Sequence, residues 1–301
     1  MKEKPISEKG FAKTDINWFP GHMAKTRRLM AQSLSDVDIL IEVLDARIPY
    51  SSRNPEIRKI SCGKPILTVL NKSALADRQM TDKWCAVFDK NKERAIPIDC
   101  IDGYGIDRIP DEIRNALAEK VERYNSKGMS GRHLRAMIVG IPNVGKSSLI
   151  NRLASAKRTK VEDRPGVTTN KQWISTELGI DLLDMPGVLW PKFGDKIIGE
   201  NLALTGAIKD AVLNTEEIAM ILCERLRDGY PALLCDRYKL VPDDIADKDG
   251  YDIFCMIGEK RGFLMRGGVI NELRTAQTIL DEFRDGTIGK ITLDIPPAFT
   301  H

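Results

Sequence analysis

At 301 residues the chain exceeds the usual size of a single domain, so two domains with separate cores are expected. Apolar residues make up 42% and charged residues 30%, the balance of a soluble globular protein, and no apolar run nears the roughly 20 residues that cross a bilayer, which excludes disordered and membrane-spanning chains. A net charge of +3 is too mild to show nucleic-acid binding by itself, since such binding depends on local clusters of Lys and Arg.

The opening residues MKEKPISEKG are charged from the start with no apolar stretch behind them, so residues 1–16 are expected to be a flexible tail and not a secretory signal. The runs DILIEVL at 38–44 and PILTVL at 65–70 are apolar, rich in β-branched residues and closed by polar ones, the pattern of buried parallel strands. Residues 80–90 and 106–124 read as helices, with a strand at 94–98 between them and a Gly- and Ser-rich connector at 125–132. A strand at 134–139 leads into a helix at 146–153, and 172–177 with 180–183 reads as a hairpin turned at Leu178 and Gly179. This alternation predicts an α/β fold, a mostly parallel doubly wound sheet with one antiparallel strand. Beyond residue 199 amphipathic helices at 216–227 and 269–283 replace the strands and predict a second, helical domain. Cys62, Cys85, Cys100, Cys223, Cys235 and Cys255 are scattered with no CxxC pair, so reduced thiols and a cytoplasmic location are expected.

The segment from Gly140 through Ile141, Pro142, Asn143, Val144, Gly145 and Lys146 to Ser147 fits G-x-x-x-x-G-K-[ST] and sits where a strand gives way to a helix. Its glycines let backbone N–H groups wrap phosphate oxygens, and the following helix offers its positive end. Lys146 is expected to bridge the β- and γ-phosphates, with the Ser147 hydroxyl on Mg²⁺. DMPG at 184–187 ends the next strand: Asp184 would hold Mg²⁺ through water, and the Gly187 N–H would sense the γ-phosphate. Between the two, RPGVTT at 164–169 supplies a threonine to complete the metal shell, Thr168 being preferred to Thr169. A guanine reader usually has the form N-K-x-D; here Asn71, Lys72, Ser73 and Ala74 stand upstream of the phosphate loop, so the motif order is permuted. A sheet tolerates this, because circular permutation moves the termini to another surface loop and keeps the contacts.

With these motifs the chain resembles the YlqF/RbgA family of ribosome-biogenesis GTPases over nearly its whole length from Trp18. The resemblance is carried by WFPGHMAK (18–25), DARIP (45–49), NKSALAD (71–77), GIPNVGKSSLIN (140–151), PGVTT (165–169), DMPGVLWPK (184–192), RGFLMRGG (261–268) and FRDGTIGKITL (283–293). It implies a circularly permuted P-loop GTPase domain over 17–195, followed by a smaller all-helical domain over 199–301 that contacts ribosomal RNA. It further implies a late role in maturation of the large ribosomal subunit, with GTP and Mg²⁺ as cofactors and neither DNA nor membrane as partner. The nucleotide-binding set then comprises Asn71, Lys72, Ser73, Ala74, Asp99, Cys100, Asn143, Val144, Gly145, Lys146, Ser147, Ser148 and Gly187.

The chain departs from the family in places. Ala74 stands where the pattern has Asp, removing the carboxylate that rejects adenine, a change that costs a few kcal/mol of discrimination. Asp77 matches the second Asp of the longer motif but is not expected to reach the base. Asp99 and Cys100 replace an Asn-Ser pair, and Asp99 is a conjectural substitute acceptor. Val188 follows DMPG where Ras-like enzymes place the Gln that orients water, so hydrolysis needs a polar group from elsewhere. The resemblance points to His22, since an imidazole can accept or orient a proton. Asn143 matches the phosphate-loop Asn that coordinates potassium in related GTPases, making K⁺ an additional cofactor candidate; with Lys146 these form the expected catalytic set.

Basic clusters occur at Lys25, Arg27 and Arg28, at Arg132 and Arg135 around His133, at Lys157, Arg158 and Lys160, and at Lys260, Arg261 and Arg266. Each alone reads as a solvated face; with Arg274 and Arg284 they keep an RNA partner open. The function expected is a GTPase assembly factor, slow alone and stimulated by the ribosomal particle. The alternatives are a nucleotide-gated rRNA-binding module with little hydrolysis, or a P-loop NTPase of relaxed base selectivity.

Overall fold

The computed structural model describes residues 20–129, 131–155, 173–190 and 193–297, so the expected tail at 1–16 lies outside the described residues. Every residue of strand β1 (Ile39–Asp45) is buried, as its unbroken apolar run requires. It pairs in parallel with β2 (Ile66–Asn71) on one side and β4 (Leu134–Val139) on the other. β3 (Ala95–Pro97) extends the sheet beyond β2; β6 (Ile180–Asp184) lies beyond β4, and β5 (Trp173–Ser175) is the single antiparallel edge. The 6-stranded order is β3-β2-β1-β4-β6-β5. Leu178 and Gly179 make the expected β5–β6 turn, closed by the Thr176 N–H on the Ile180 carbonyl at 3.1 Å.

Strand alternation sorts side chains onto opposite faces. Ile39, Ile41, Val43, Ala136 and Ile138 meet Ile109 and Ile113 of α4 (Ile109–Ala116) and Leu149 and Leu153 of α6 (Lys146–Ser155). On the other face Leu40, Met137 and Leu183 meet Met30 of α1 (Pro20–Ser33) and Ile57 of α2 (Pro55–Ile60). Trp84 and Phe88 of α3 (Arg78–Lys90) close over Leu44 and Leu70, each such burial contributing about 1.5–3 kcal/mol. Helices on both faces of a largely parallel sheet are the doubly wound arrangement the sequence predicts.

Two expected helices are corrected. The stretch 106–124 is a 3-10 turn at Ile106–Arg108, then α4, then α5 (Ala118–Ser126), broken at Leu117, whose φ of −114° and ψ of 20° leave helical values. Leu117 is 5% exposed, and burying it in the core ends one helical axis and starts another. The helix expected from 269 starts instead as α12 (Glu272–Arg284), because the Asn271 side chain caps it by accepting from the Arg274 N–H at 3.1 Å. Ile270 pairs with Leu264 in an antiparallel bridge before the cap.

The helical half also contains α7 (Lys196–Leu204), α8 (Thr215–Gly229), α9 (Pro231–Tyr238), α10 (Pro242–Ile245) and α11 (Gly250–Lys260). Helix α8 is central: it buries Ile218, Ala219, Leu222, Cys223 and Leu226, and α7, α9, α11 and α12 pack on it. Its apolar cluster is continuous with that of the sheet. After α12 the chain returns to the sheet, where Asp294 accepts from Ser51 Oγ at 2.6 Å and from Asn201 Nδ2 of α7 at 2.8 Å. All six cysteines are free. No helix among the described residues is long and apolar enough to cross a membrane.

Candidate nucleotide site

From β1 the sheet proceeds to β2 and β3 in one direction, and from β4 to β6 and β5 in the other, so the carboxyl ends of β1 and β4 flank a topological switch point. Ligands of open α/β sheets bind at such crevices. Asp45, Asn71, the phosphate loop and Asp184 all leave strands at this edge.

The phosphate loop is shaped by residues at positive φ: Gly140 at 152°, Asn143 at 62° and Gly145 at 94°. A Cβ on Gly145 would stand 2.2 Å from Asn71 Nδ2, and one on Gly187 would stand 2.6 Å from Lys146 Nζ. The glycine of DMPG thus touches the phosphate lysine because it has no side chain. Lys146 is 8% exposed and its ammonium donates to the Ile141 carbonyl at 2.7 Å. Burial pulls its pKa down to about 8, against the opposing pull of the Asp184 carboxylate. Burial in turn pushes Asp184 above the usual carboxylate range despite Lys146. Ser147 and Ser148 are exposed on the first turn of α6.

A hydroxyl at Ser147 and a partly desolvated carboxylate at Asp184 are hard oxygen donors and fit Mg²⁺. No cage of three or more His, Cys, Asp or Glu occurs among the described residues. Thr168 lies outside the described residues, as do Lys157, Arg158 and Lys160; His22 falls in the first turn of α1, with its side chain outside them.

On the base side Asn71 is a seam. Its Nδ2 donates to the Val144 carbonyl at 2.7 Å, and its Oδ1 accepts from the Cys100 N–H at 3.1 Å, tying the phosphate loop to the 99–101 loop. Arg152 of α6 adds to that seam, donating from Nε to the Cys100 carbonyl at 2.8 Å and also to the Ile101 carbonyl. Burial pushes the Cys100 thiol up to about 11. Lys72, at φ 62°, places its ammonium 3.0 Å from Asp45 Oδ2. Burial would raise the Asp45 pKa, but the Arg47 guanidinium and Lys72 outweigh it and hold the carboxyl well below its usual range.

Ala74 is exposed and offers no acceptor, and its N–H donates to Asp99 Oδ2 at 3.1 Å while Ile101 N–H donates to Asp99 Oδ1 at 2.8 Å. Each oxygen of the conjectural substitute acceptor therefore already holds a backbone amide. Asp77 caps α3, accepting from the Met80 N–H at 3.1 Å. Ser73 is anchored through its N–H on the Ile98 carbonyl at 3.1 Å.

Contacts without a sequence signal complete the site. Asn54, the cap of α2, donates from Nδ2 to the Val188 carbonyl at 3.0 Å and so holds the segment after DMPG. Asn143 Nδ2 donates to the Gly206 carbonyl at 2.5 Å, joining the phosphate loop to the turn after α7. The basic clusters divide. Arg132 stacks on Tyr124, Arg135 on Trp173, and His133 Nδ1 lies 2.9 Å from Asp181 Oδ1. Arg261 pairs with Glu282, and Arg284 with Asp210 at 2.7 Å. Lys25, Arg28, Lys260, Arg266 and Arg274 remain on the surface, Arg274 with its guanidinium over Phe263.

A switch-point crevice holding a complete phosphate loop, with Asn71 and Lys72 at the end of β2 ahead of it in the chain, defines a circularly permuted P-loop GTPase. The family model described as 50S ribosome-binding GTPase matches residues 135–228. "Ribosome biogenesis GTPase A" of Bacillus cereus is 46% identical over 286 residues, covering 94% of this chain and 95% of the relative. The protein of the same name from Bacillus pumilus is 45% identical, covering 93% and 99%. Mouse "Mitochondrial ribosome-associated GTPase 1" is 33% identical, covering 92% and 89%. The chain belongs to the ribosome biogenesis GTPase A family. The crystal structure of GNP-bound YlqF from T. maritima shares the fold, with a TM-score of 0.61 at 24% identity, covering 91% of this chain and all of that one.

Proposed function

We propose that this GTPase is a cytoplasmic assembly factor that binds the precursor of the large ribosomal subunit and its rRNA with GTP and Mg²⁺ in place, and leaves after hydrolysis. The observation that carries the nucleotide half of this reading is the buried Lys146 ammonium, close to Asp184 and Gly187. A desolvated cation at the head of a helix is matched to phosphate oxygens. The ribosomal half rests on the names of the relatives and of the family model.

In this reading Lys146 holds the β- and γ-phosphates, the N–H groups of Val144, Gly145, Lys146, Ser147 and Ser148 wrap them, and Gly187 meets the γ-phosphate. Ser147, Asp184 and Thr168 hold Mg²⁺, which neutralises phosphate charge when bound. Asn71, Lys72, Ser73, Ala74, Asp99 and Cys100 form the base side, with the Lys72 stem under the ring. Val188 orients no water through its aliphatic side chain, and its carbonyl is held by Asn54. The polar group therefore comes from elsewhere: His22 on α1, brought into place on the particle, with K⁺ at Asn143 as a second contribution. The RNA face consists of Lys260, Arg266 and Arg274, whose phosphate contacts weaken with salt. Arg261 and Arg284 are committed inside the bundle.

The test is GTP turnover by the wild type and by His22→Ala, with and without large-subunit precursor particles, in potassium and in sodium. Turnover rises on the particles, and His22→Ala binds GTP normally but loses most of that rise. Equal rates for both proteins on particles would overturn the role of His22. An absence of particle stimulation would favour the second reading, a nucleotide-gated RNA-binding module, to which Val188 points.

A further inference from the structure

The last residue of α12 reads in the sequence as one more surface arginine, yet Arg284 is only 20% exposed on its side chain and touches both halves of the molecule. Its Nε donates to the Leu204 carbonyl at 3.0 Å and its Nη2 to the Ala203 carbonyl at 3.1 Å, gathering two carbonyls at the carboxyl end of α7. The turn that follows places Gly206 at φ 75°, its N–H on the Ala203 carbonyl at 3.0 Å, and a Cβ there would lie 3.6 Å from Arg284 Nε. The Gly206 carbonyl then receives the Asn143 side chain of the phosphate loop at 2.5 Å.

The backbone of the same residue reaches the base side. The Arg284 carbonyl accepts from Arg47 Nη1 at 3.2 Å, and the Arg47 guanidinium lies over the Phe283 ring at 5.3 Å. Arg47 is 1% exposed and bidentate on Asp45, at 3.0 and 2.8 Å, and Asp45 in turn holds Lys72 at 3.0 Å. One residue of the helical half thus braces the left-handed residue of the phosphate loop through α7, and the base-side lysine through Arg47 and Asp45.

We infer that Arg284 is a positioning residue of the GTPase site, setting the phosphate loop and Lys72 through the α7 turn and the Arg47–Asp45 pair. The inference needs the GTPase site alone and is independent of any ribosomal partner. A bundle arginine with a purely structural role would lower the melting temperature of the protein and leave the GTP affinity of the folded molecules unchanged. A positioning residue changes that affinity, and its effect overlaps that of Asn143, because both act through the Gly206 carbonyl.

The experiment is titration of the full chain with a fluorescent GTP analogue for the wild type, Arg284→Ala, Asn143→Ala, the double variant and Asp210→Ala, with a thermal melt of each. Arg284→Ala is expected to weaken binding about tenfold. The double variant is expected to lose clearly less than the product of the two separate losses. Asp210→Ala removes only the more exposed ion pair of Arg284 and keeps wild-type affinity. If Arg284→Ala does not fold, Arg284→Lys serves: its single ammonium reaches fewer carbonyls, so an intermediate loss that is again less than multiplicative with Asn143→Ala is expected. Wild-type affinity in the folded Arg284 variant, or losses that multiply fully with Asn143→Ala, would overturn the inference.

Discussion

Around the phosphate loop the chain presents glycines at positive φ, a buried lysine and a nearby carboxylate, all within reach of one another at the ends of β4 and β6. Around the base loop it presents an exposed alanine, with Asp99 and Asp77 spent on backbone N–H groups. The phosphate half is built mostly of backbone, which any base would leave unchanged. The base half needs an exposed acceptor, and Asp99, which holds its loop in shape, is 2% exposed. The loop keeps its hydrogen bonds to Asp99 with alanine at position 74.

The largest effect should come from Gly145→Ala, at the seam between the halves. A Cβ there falls 2.2 Å from Asn71 Nδ2 on a residue at φ 94°, so strain and a displaced hydrogen bond should cost about 3–5 kcal/mol in urea unfolding. An unchanged midpoint would break the claim that the seam holds the halves together. Next is Lys146→Ala, which should keep the fold and lower GTP affinity about a hundredfold, ATP suffering alike because the phosphate half is blind to the base. A loss confined to GTP would contradict the comparison.

Ala74→Asp should sharpen it. An added carboxylate should raise the preference for GTP over ITP, which lacks the 2-amino group, about tenfold, read from the ratio of dissociation constants. An unchanged ratio would mean that the base is not read from position 74.

The smallest effect is that of pH. The folded protein holds Lys146 at about 8 against an ordinary 10.5, so between these values the unfolded chain binds more protons and the stability of the free protein rises with pH. GTP binding needs the ammonium, so affinity should fall about fivefold between pH 8 and 9, and Lys146→Ala should abolish that slope.

Much of this was legible beforehand. The strands at 38–44, 65–70 and 134–139 are near-continuous apolar runs, and such runs become buried parallel strands wherever both faces are covered. The phosphate loop announces itself because backbone conformation dictates its glycines. Illegible were the break at Leu117, where core burial overrides a continuous helical pattern, and the N-cap at Asn271, where a side-chain bond to Arg274 decides between helix and bridge.

By itself the sequence determined the order of the elements, the permuted motifs and the chemistry of the phosphate half, since each rests on neighbours a few residues apart. Tertiary structure alone decided which charges are spent. Arg284 and Leu204 are 80 positions apart, and Asp99 and Ala74 are 25 apart. A polar side chain takes whatever partner the packing brings within about 3 Å, and no local pattern encodes that choice.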